Sequence, residues 1–144
     1  MYNQRIVVRP ARSNDAEVVA KAVAMAIGDE VALQNYCGAE YLDVLAEIAR
    51  REATQYSWQY ALVAEVDGVT AGAVVGYDGA RLSELREGTF AVLRERTGHI
   101  PVVADETEAG EYYLDSVGVL PEFRGCGVGH TLIEAFCDTV FAAG

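Results

Sequence analysis

No apolar run in this chain approaches the roughly 18 to 20 consecutive residues that a membrane-spanning helix needs, although 51% of the residues are hydrophobic. The N-terminus, Met1-Tyr2-Asn3-Gln4-Arg5, has no basic start, long apolar stretch or small-residue cleavage site of a secretory signal. These absences point to a soluble, cytoplasmic protein. Cysteine is scarce: Cys37, Cys126 and Cys137 are odd in number and never spaced CxxC, which argues against a disulfide framework and against a thiolate zinc site. His99 and His130 have no metal-spaced partners, so no metal is expected. Basic residues are few, 11 against 22 acidic ones for a net charge of −11. That balance disfavours nucleic acids and anionic membrane surfaces as partners. The same field suits a cationic substrate, although a solvated acidic surface that keeps the protein soluble is the more ordinary explanation.

What is present fits one α/β domain, since 144 residues can bury a single sizeable core. Arg5 to Arg9 is a short β-branched run stopped by Pro10, and Asn14 with Glu17 resembles a capping box. Val18, Val19, Ala22, Val23, Ala26 and Ile27 then recur at helical spacing up to Gly28. A second helical pattern runs through Tyr41, Leu42, Leu45, Ile48 and Ala49. Tyr60–Val66 and Val69–Val75 flank Asp67-Gly68, which predicts a hairpin with a type I′ turn. A weaker helical pattern from Ala80 to Arg96 is interrupted by Gly88, and residues 97–110, rich in acids, read mostly as loop. Glu111–Leu120 reads as a strand with Tyr113, Val117 and Val119 on one face and Tyr112, Leu114 and Leu120 on the other. After Arg124-Gly125-Cys126-Gly127-Val128-Gly129 comes a helix with an apolar stripe of Val128, Leu132, Ile133, Phe136 and Val140.

The unit of strand, glycine-rich turn and helix is the place for chemistry. A helix N-terminus carries unsatisfied N–H groups at the positive end of its dipole, which suits an anion such as a pyrophosphate. Gly125, Gly127 and Gly129 leave room for close approach, and Arg124 adds a cation with several donors. The bare pattern Arg/Gln-x-x-Gly-x-Gly/Ala would arise by chance in about one chain in seven of this length, so its weight comes from lying between a terminated strand and an amphipathic helix. Rival phosphate loops fail on spacing. For GxGxxG the third glycine falls one residue early, at Gly129, with His130 where it should stand, and GxxxxGK[ST] lacks its lysine at His130.

Leu114-Asp115-Ser116-Val117-Gly118-Val119-Leu120-Pro121-Glu122-Phe123-Arg124-Gly125-Cys126-Gly127-Val128-Gly129 resembles the acyl-CoA-binding core of the GNAT superfamily of N-acyltransferases. The preceding order of strand, two helices, Asp-Gly hairpin and strand is similar to the N-terminal part of that family. The resemblance implies an α+β fold with a mixed, mainly antiparallel sheet flanked by helices, and direct transfer of an acetyl group from acetyl-CoA, as cosubstrate, to an amine. It implies that backbone groups of Val117 and Val119 bind the pantetheine arm, and that Arg124, Gly125, Cys126, Gly127, Val128 and Gly129 wrap the pyrophosphate. Two departures stand out. Residues from about 80 to 110 look like an inserted helical segment that shapes the acceptor site. The chain also stops near the helix after the turn, where the family continues with a strand, a helix and a closing strand that often supply the general acid. A fragment of a longer polypeptide is the favoured explanation; a completing second chain or a degenerate domain are the others.

Direct transfer needs a group that takes the amine proton. Asp115 is the chosen catalytic candidate, with Glu111 as its rival; a surface or structural carboxylate is the plainer reading of either. Tyr112 and Tyr113 read as packing residues. Cys126 at a helix start invites a nucleophile hypothesis, but without a base it reads as a spectator. The alternative to an enzyme is a catalytically silent acyl-CoA-binding or regulatory module, and a cofactor-free interaction domain is the third reading. The acceptor stays open among polyamines, amino acids, antibiotics and protein N-termini, and a homodimer stays open as an assembly.

Overall fold

The computed structural model describes residues 5–143; Met1–Gln4, most of the stretch read above for a signal, and Gly144 lie outside them. The elements run β1 (Ile6–Pro10), α1 (Ala16–Ile27), α2 (Glu30–Cys37), α3 (Tyr41–Arg50), β2 (Ala61–Val66), β3 (Val69–Asp78), α4 (Leu82–Thr97), β4 (Tyr112–Val119) and α5 (Val128–Ala143). The sheet has the order β1-β2-β3-β4, and every pairing among the described residues is antiparallel. At the β2–β3 hairpin Asp67 and Gly68 both have positive φ, 50° and 83°, as a type I′ turn requires.

Alternation along the strands sorts side chains into two apolar layers. Ala61, Val63, Ala73 and Val75 face α1, α3 and α4, packing with Val19, Val23, Leu45, Ile48 and Leu93. Ala64, Val66, Ala71 and Val74 face α5, packing with Val128, Leu132 and Phe136. Each fully buried Val, Leu or Phe stabilises by roughly 1.5–3 kcal/mol, so these layers outweigh the propensities of the individual helices. No helix among the described residues is long and apolar enough to cross a membrane.

Several local expectations are corrected. The expected Asn14/Glu17 box does not open α1. Asp15, the residue before the helix, instead closes the short turn Ser13–Asp15, its carboxylate accepting the Arg12 N–H at 2.8 Å and the Nη1 and Nη2 of Arg9 at 2.8 and 3.0 Å, which holds it below the usual carboxylate range. Pro10 ends β1 from within, paired opposite Leu62, where an edge strand tolerates a missing N–H. Helix α2 was not anticipated, so three helices rather than two precede the hairpin. Gly88 does not interrupt α4. It lets the helix approach the loop after α3 so closely that a Cβ there would lie 2.1 Å from the Ala53 carbonyl oxygen. Ile133 is 40% exposed and off the buried stripe of α5.

The largest correction concerns β4. Val75 pairs with Ser116 but the next residue, Gly76, pairs with Leu114, so Asp115 is an extra residue in a β-bulge. The bulge changes the parity of the strand. Beyond it Val117 and Val119 pack on the α5 side; before it Leu114 does so, as does Tyr112, whose ring meets Phe136 at 5.8 Å. Tyr113 thus turns to the opposite face from Val117 and Val119 and stacks edge-on against Tyr77 at 5.7 Å.

Candidate active site

Three features meet on the C-terminal half of β4. The first is an open strand edge. The Leu120 N–H donates to Ala71 of β3 at 2.8 Å, and in an antiparallel ladder successive residues point their polar groups alternately to either side. Gly118 therefore faces β3, while Val117 and Val119 present N–H and C=O to the side where, among the described residues, no strand pairs. The Val119 carbonyl accepts the Nε of Arg124 at 3.4 Å.

The second is the turn from Arg124 to Gly129. Gly125 and Gly127 take φ of 81° and 84°, the left-handed conformation that turns successive amides into a concave nest. The Arg124 N–H donates to the Pro121 carbonyl at 3.3 Å, and among the described residues the next amide to reach a backbone carbonyl is that of Thr131, on Gly127 at 3.0 Å. The N–H groups from Gly125 to His130 are left for solvent or an anion. A Cβ at Gly125 or Gly127 would meet nothing within 4 Å, and one at Gly129 would touch Val119 at an ordinary 3.5 Å. The protein itself does not fill the space over these glycines. Val128 is buried beneath the turn, and Cys126 is half-buried. Its Sγ lies 3.9 Å from the Arg124 carbonyl oxygen, with no base in contact among the described residues. The Arg124 guanidinium reaches the Sδ of Met25 in α1 at 3.5 Å, and His130 is exposed and pairs with Glu134 at 2.6 Å.

The third is a cavity of about 300 Å³ beside Asp115, walled by Ala26 and Ile27 of α1, Ala32 and Tyr36 of α2, Tyr56, Val103 and Glu106 from loops, and Tyr113, Asp115 and Ser116 of β4. The bulge aims Asp115 and Ser116 together into it. Asp115 accepts hydrogen bonds from the Tyr77 hydroxyl at 3.1 Å on Oδ2 and from the Ser116 hydroxyl at 3.1 Å on Oδ1. The Tyr77 oxygen in turn accepts from the Gln55 side-chain amide at 3.2 Å, and the Gln55 N–H donates to Thr89 of α4 at 3.0 Å, so the carboxylate is oriented by a chain anchored in the core. Burial pushes the Asp115 carboxyl up to about 7, with the charge of Glu106 adding to the rise and the two hydroxyl donors opposing it. Burial also raises the phenols of Tyr36, Tyr56, Tyr77 and Tyr113, so near neutral pH they act as O–H donors. A carboxylate titrating near 7, open to a cavity and fixed by two donors, can accept and release a proton at physiological pH.

Of the residues singled out in the sequence, Asp115, Val117, Val119 and Arg124 to Gly129 therefore lie along one strand and the turn that follows it. Glu111 is separate: its carboxylate accepts from Thr107 and from the Glu108 N–H, both at 3.1 Å, and caps the preceding loop. Tyr36, Gln55, Tyr56, Tyr77 and Glu106 escaped notice because they are dispersed over the chain and no local spacing joins them. The one available clue was Tyr77, extending the alternation of the hairpin's second strand beyond Val75.

Comparison with known proteins places this geometry in context. Residues 30–144 match the acetyltransferase (GNAT) family. A crystal structure of an acetyltransferase is 27% identical, with a TM-score of 0.80 over 96% of this chain and 76% of that one. The crystal structure of an N-acetyltransferase from Staphylococcus aureus Mu50 is 22% identical, with a TM-score of 0.77 over 92% of this chain and 75% of that one, a likeness of fold. No curated protein matches the sequence.

Proposed function

Because this chain belongs to the acetyltransferase (GNAT) family, we propose that it is an N-acetyltransferase that moves an acetyl group from acetyl-CoA to an amine. The observation that carries this reading is the single strand β4, which presents an unpaired amide edge, a donor nest at its end and, at the bulge, a carboxylate fixed by two hydroxyl donors and open to a cavity. In this proposal the backbone of Val117 and Val119 pairs with the amides of the pantetheine arm, as an added strand would. Arg124 and the amides of Gly125, Cys126, Gly127, Val128 and Gly129 hold the pyrophosphate. Those contacts deliver the thioester to Asp115, about 7 Å along the strand from Val117 at the usual rise per residue. Ionised Asp115 first takes one proton from the bound ammonium; the neutral nitrogen then attacks the thioester carbonyl, the C–S bond breaks, the second proton shed by nitrogen passes to the departing thiolate, and Asp115 returns its proton to solvent. Residues 80–110, read as an insertion, contribute Val103 and Glu106 to the acceptor side.

A thiol-release assay on the full-length protein with a panel of amines tests the reading. Acceptor-dependent release is expected, with kcat/KM rising with pH to a plateau above about 7, as the ionised form of Asp115 is the active one. Asp115→Asn is expected to lower kcat/KM by about 100-fold or more and to abolish that ascending limb. Binding of CoA without acceptor-dependent release would instead favour the silent acyl-CoA-binding module.

A further inference from the structure

The cavity beside Asp115 selects by charge. Its walls hold two carboxylates and three tyrosines but no Lys, Arg or His. Among the described residues neither Asp115 nor Glu106 has an ion-pair partner. Glu106 stands at the rim, where its Oε2 accepts from the Tyr113 hydroxyl at 2.7 Å. Its loop is fastened from the neighbouring residues: Arg86 of α4 donates to the Asp105 carboxylate at 2.7 Å and to the Ala104 carbonyl at 3.0 Å. The Arg86 guanidinium is thus committed to Asp105 and Ala104, and Glu106 stands at the mouth with no cation against it among the described residues. A second cavity of about 200 Å³ shares Glu106 as a wall and is lined otherwise by Asp105, Thr107, Glu108 and Glu111, so the negative field continues outward.

This inference rests on the N-acetyltransferase reading. The reacting amine enters as an ammonium and surrenders one proton to Asp115, so the two become neutral together; Glu106, held by the Tyr113 hydroxyl, has no such partner for its charge. An acceptor carrying one nitrogen leaves that charge unmatched, and one carrying a carboxylate, as an amino acid does, brings a third negative group into a site with no positive one. We propose that the acceptor is a small diamine or polyamine without a carboxylate, whose reacting nitrogen meets Asp115 and whose second, protonated nitrogen is held by Glu106. A cavity of about 300 Å³ stands at the small end of ligand sites, which span roughly 300–1,000 Å³, and suits such a molecule.

Three acceptors on one carbon skeleton separate these terms: n-pentylamine, 1,5-diaminopentane, and lysine, which is the diamine with a carboxylate added. With full-length protein and acetyl-CoA, kcat/KM for the diamine is expected to exceed that for pentylamine by about 2- to 5-fold, as one rim ion pair allows, and to exceed that for lysine by more. Glu106→Gln retains an acceptor for the Tyr113 hydroxyl while removing the charge. It is expected to raise KM for the diamine, with kcat little changed, until the diamine-to-pentylamine ratio falls toward one. Equal rates for diamine and pentylamine, a preference for lysine, or an equal loss for both amines in Glu106→Gln would overturn the inference and leave the transferase standing. Failure of every amine to release thiol, with CoA still raising the melting temperature, would remove the transferase reading and this inference with it.

Discussion

Two groups of glycines in this molecule do opposite things. Gly88 and Gly118 lie where the protein touches itself. A Cβ at Gly118 would sit 2.7 Å from the Cα and 2.8 Å from the carbonyl oxygen of Ala22, and one at Gly88 would sit 2.1 Å from the Ala53 oxygen. Gly118 lets β4 and α1 approach to backbone contact, and Gly88 does the same for α4 and the segment after α3. Gly125 and Gly127 lie where the protein touches nothing, in a turn with open space above it. The missing side chain serves the fold in the first group and leaves room for a guest in the second, a difference that sequence patterns alone do not reveal.

The comparison can be broken by substitution. The largest effect is expected at the packed sites: Gly118→Ala and Gly88→Ala should each destabilise by about 1–3 kcal/mol, read as a lower urea midpoint. Gly88→Ala is the sharper trial, because helix propensity alone favours alanine there by about 1 kcal/mol; if it stabilised α4, the close approach to Ala53 would be wrong. At the open turn the order of effects should reverse. Gly127→Ala meets positive φ and should lose only about 1 kcal/mol of stability, yet weaken CoA about 10-fold or more, measured by calorimetry. Gly127→Asn, which tolerates that φ better, should recover the stability but not the affinity; recovery of both would mean that conformation rather than space is what the turn requires. The smallest effect is expected for Cys126→Ser, with CoA affinity and turnover within about 2-fold of the parent, since its backbone N–H rather than its thiol lies in the nest. A large loss there would reopen the nucleophile hypothesis.

What was legible in the sequence was what depends on neighbours along the chain. Asp67-Gly68 between apolar runs specified the hairpin, and the glycines of Arg124–Gly129 between a strand and an amphipathic helix marked an open turn at a helix start. What escaped depends on distant packing. The eight-residue α2 is too short to show a convincing apolar stripe. Gly88 looked like a break because the carbonyl it accommodates lies 35 residues earlier, at Ala53. The faces of β4 were misassigned because nothing in Leu114-Asp115-Ser116 announces an extra residue; only pairing with β3 reveals it. Glu106, Tyr36 and Tyr56 belong to a pocket assembled from a loop, a helix and the segment after α3, so no motif could unite them.

The unpaired residue at Asp115 divides β4 into two reading frames on one continuous strand. In the frame after it, every second residue aims at α5 and leaves its amides on the outer edge; in the frame before it, the choice of side is exchanged. A change of composition in one frame therefore need not be echoed in the other, and the cavity wall around Tyr113 can diverge while the edge at Val117 and Val119 keeps its form. Removal of that one residue would merge the frames into a regular ladder in which Ser116 still stands opposite Val75, Leu114 opposite Gly76 and Tyr113 opposite Tyr77, so the cavity would lose its buried carboxylate while the side chains around it kept their faces.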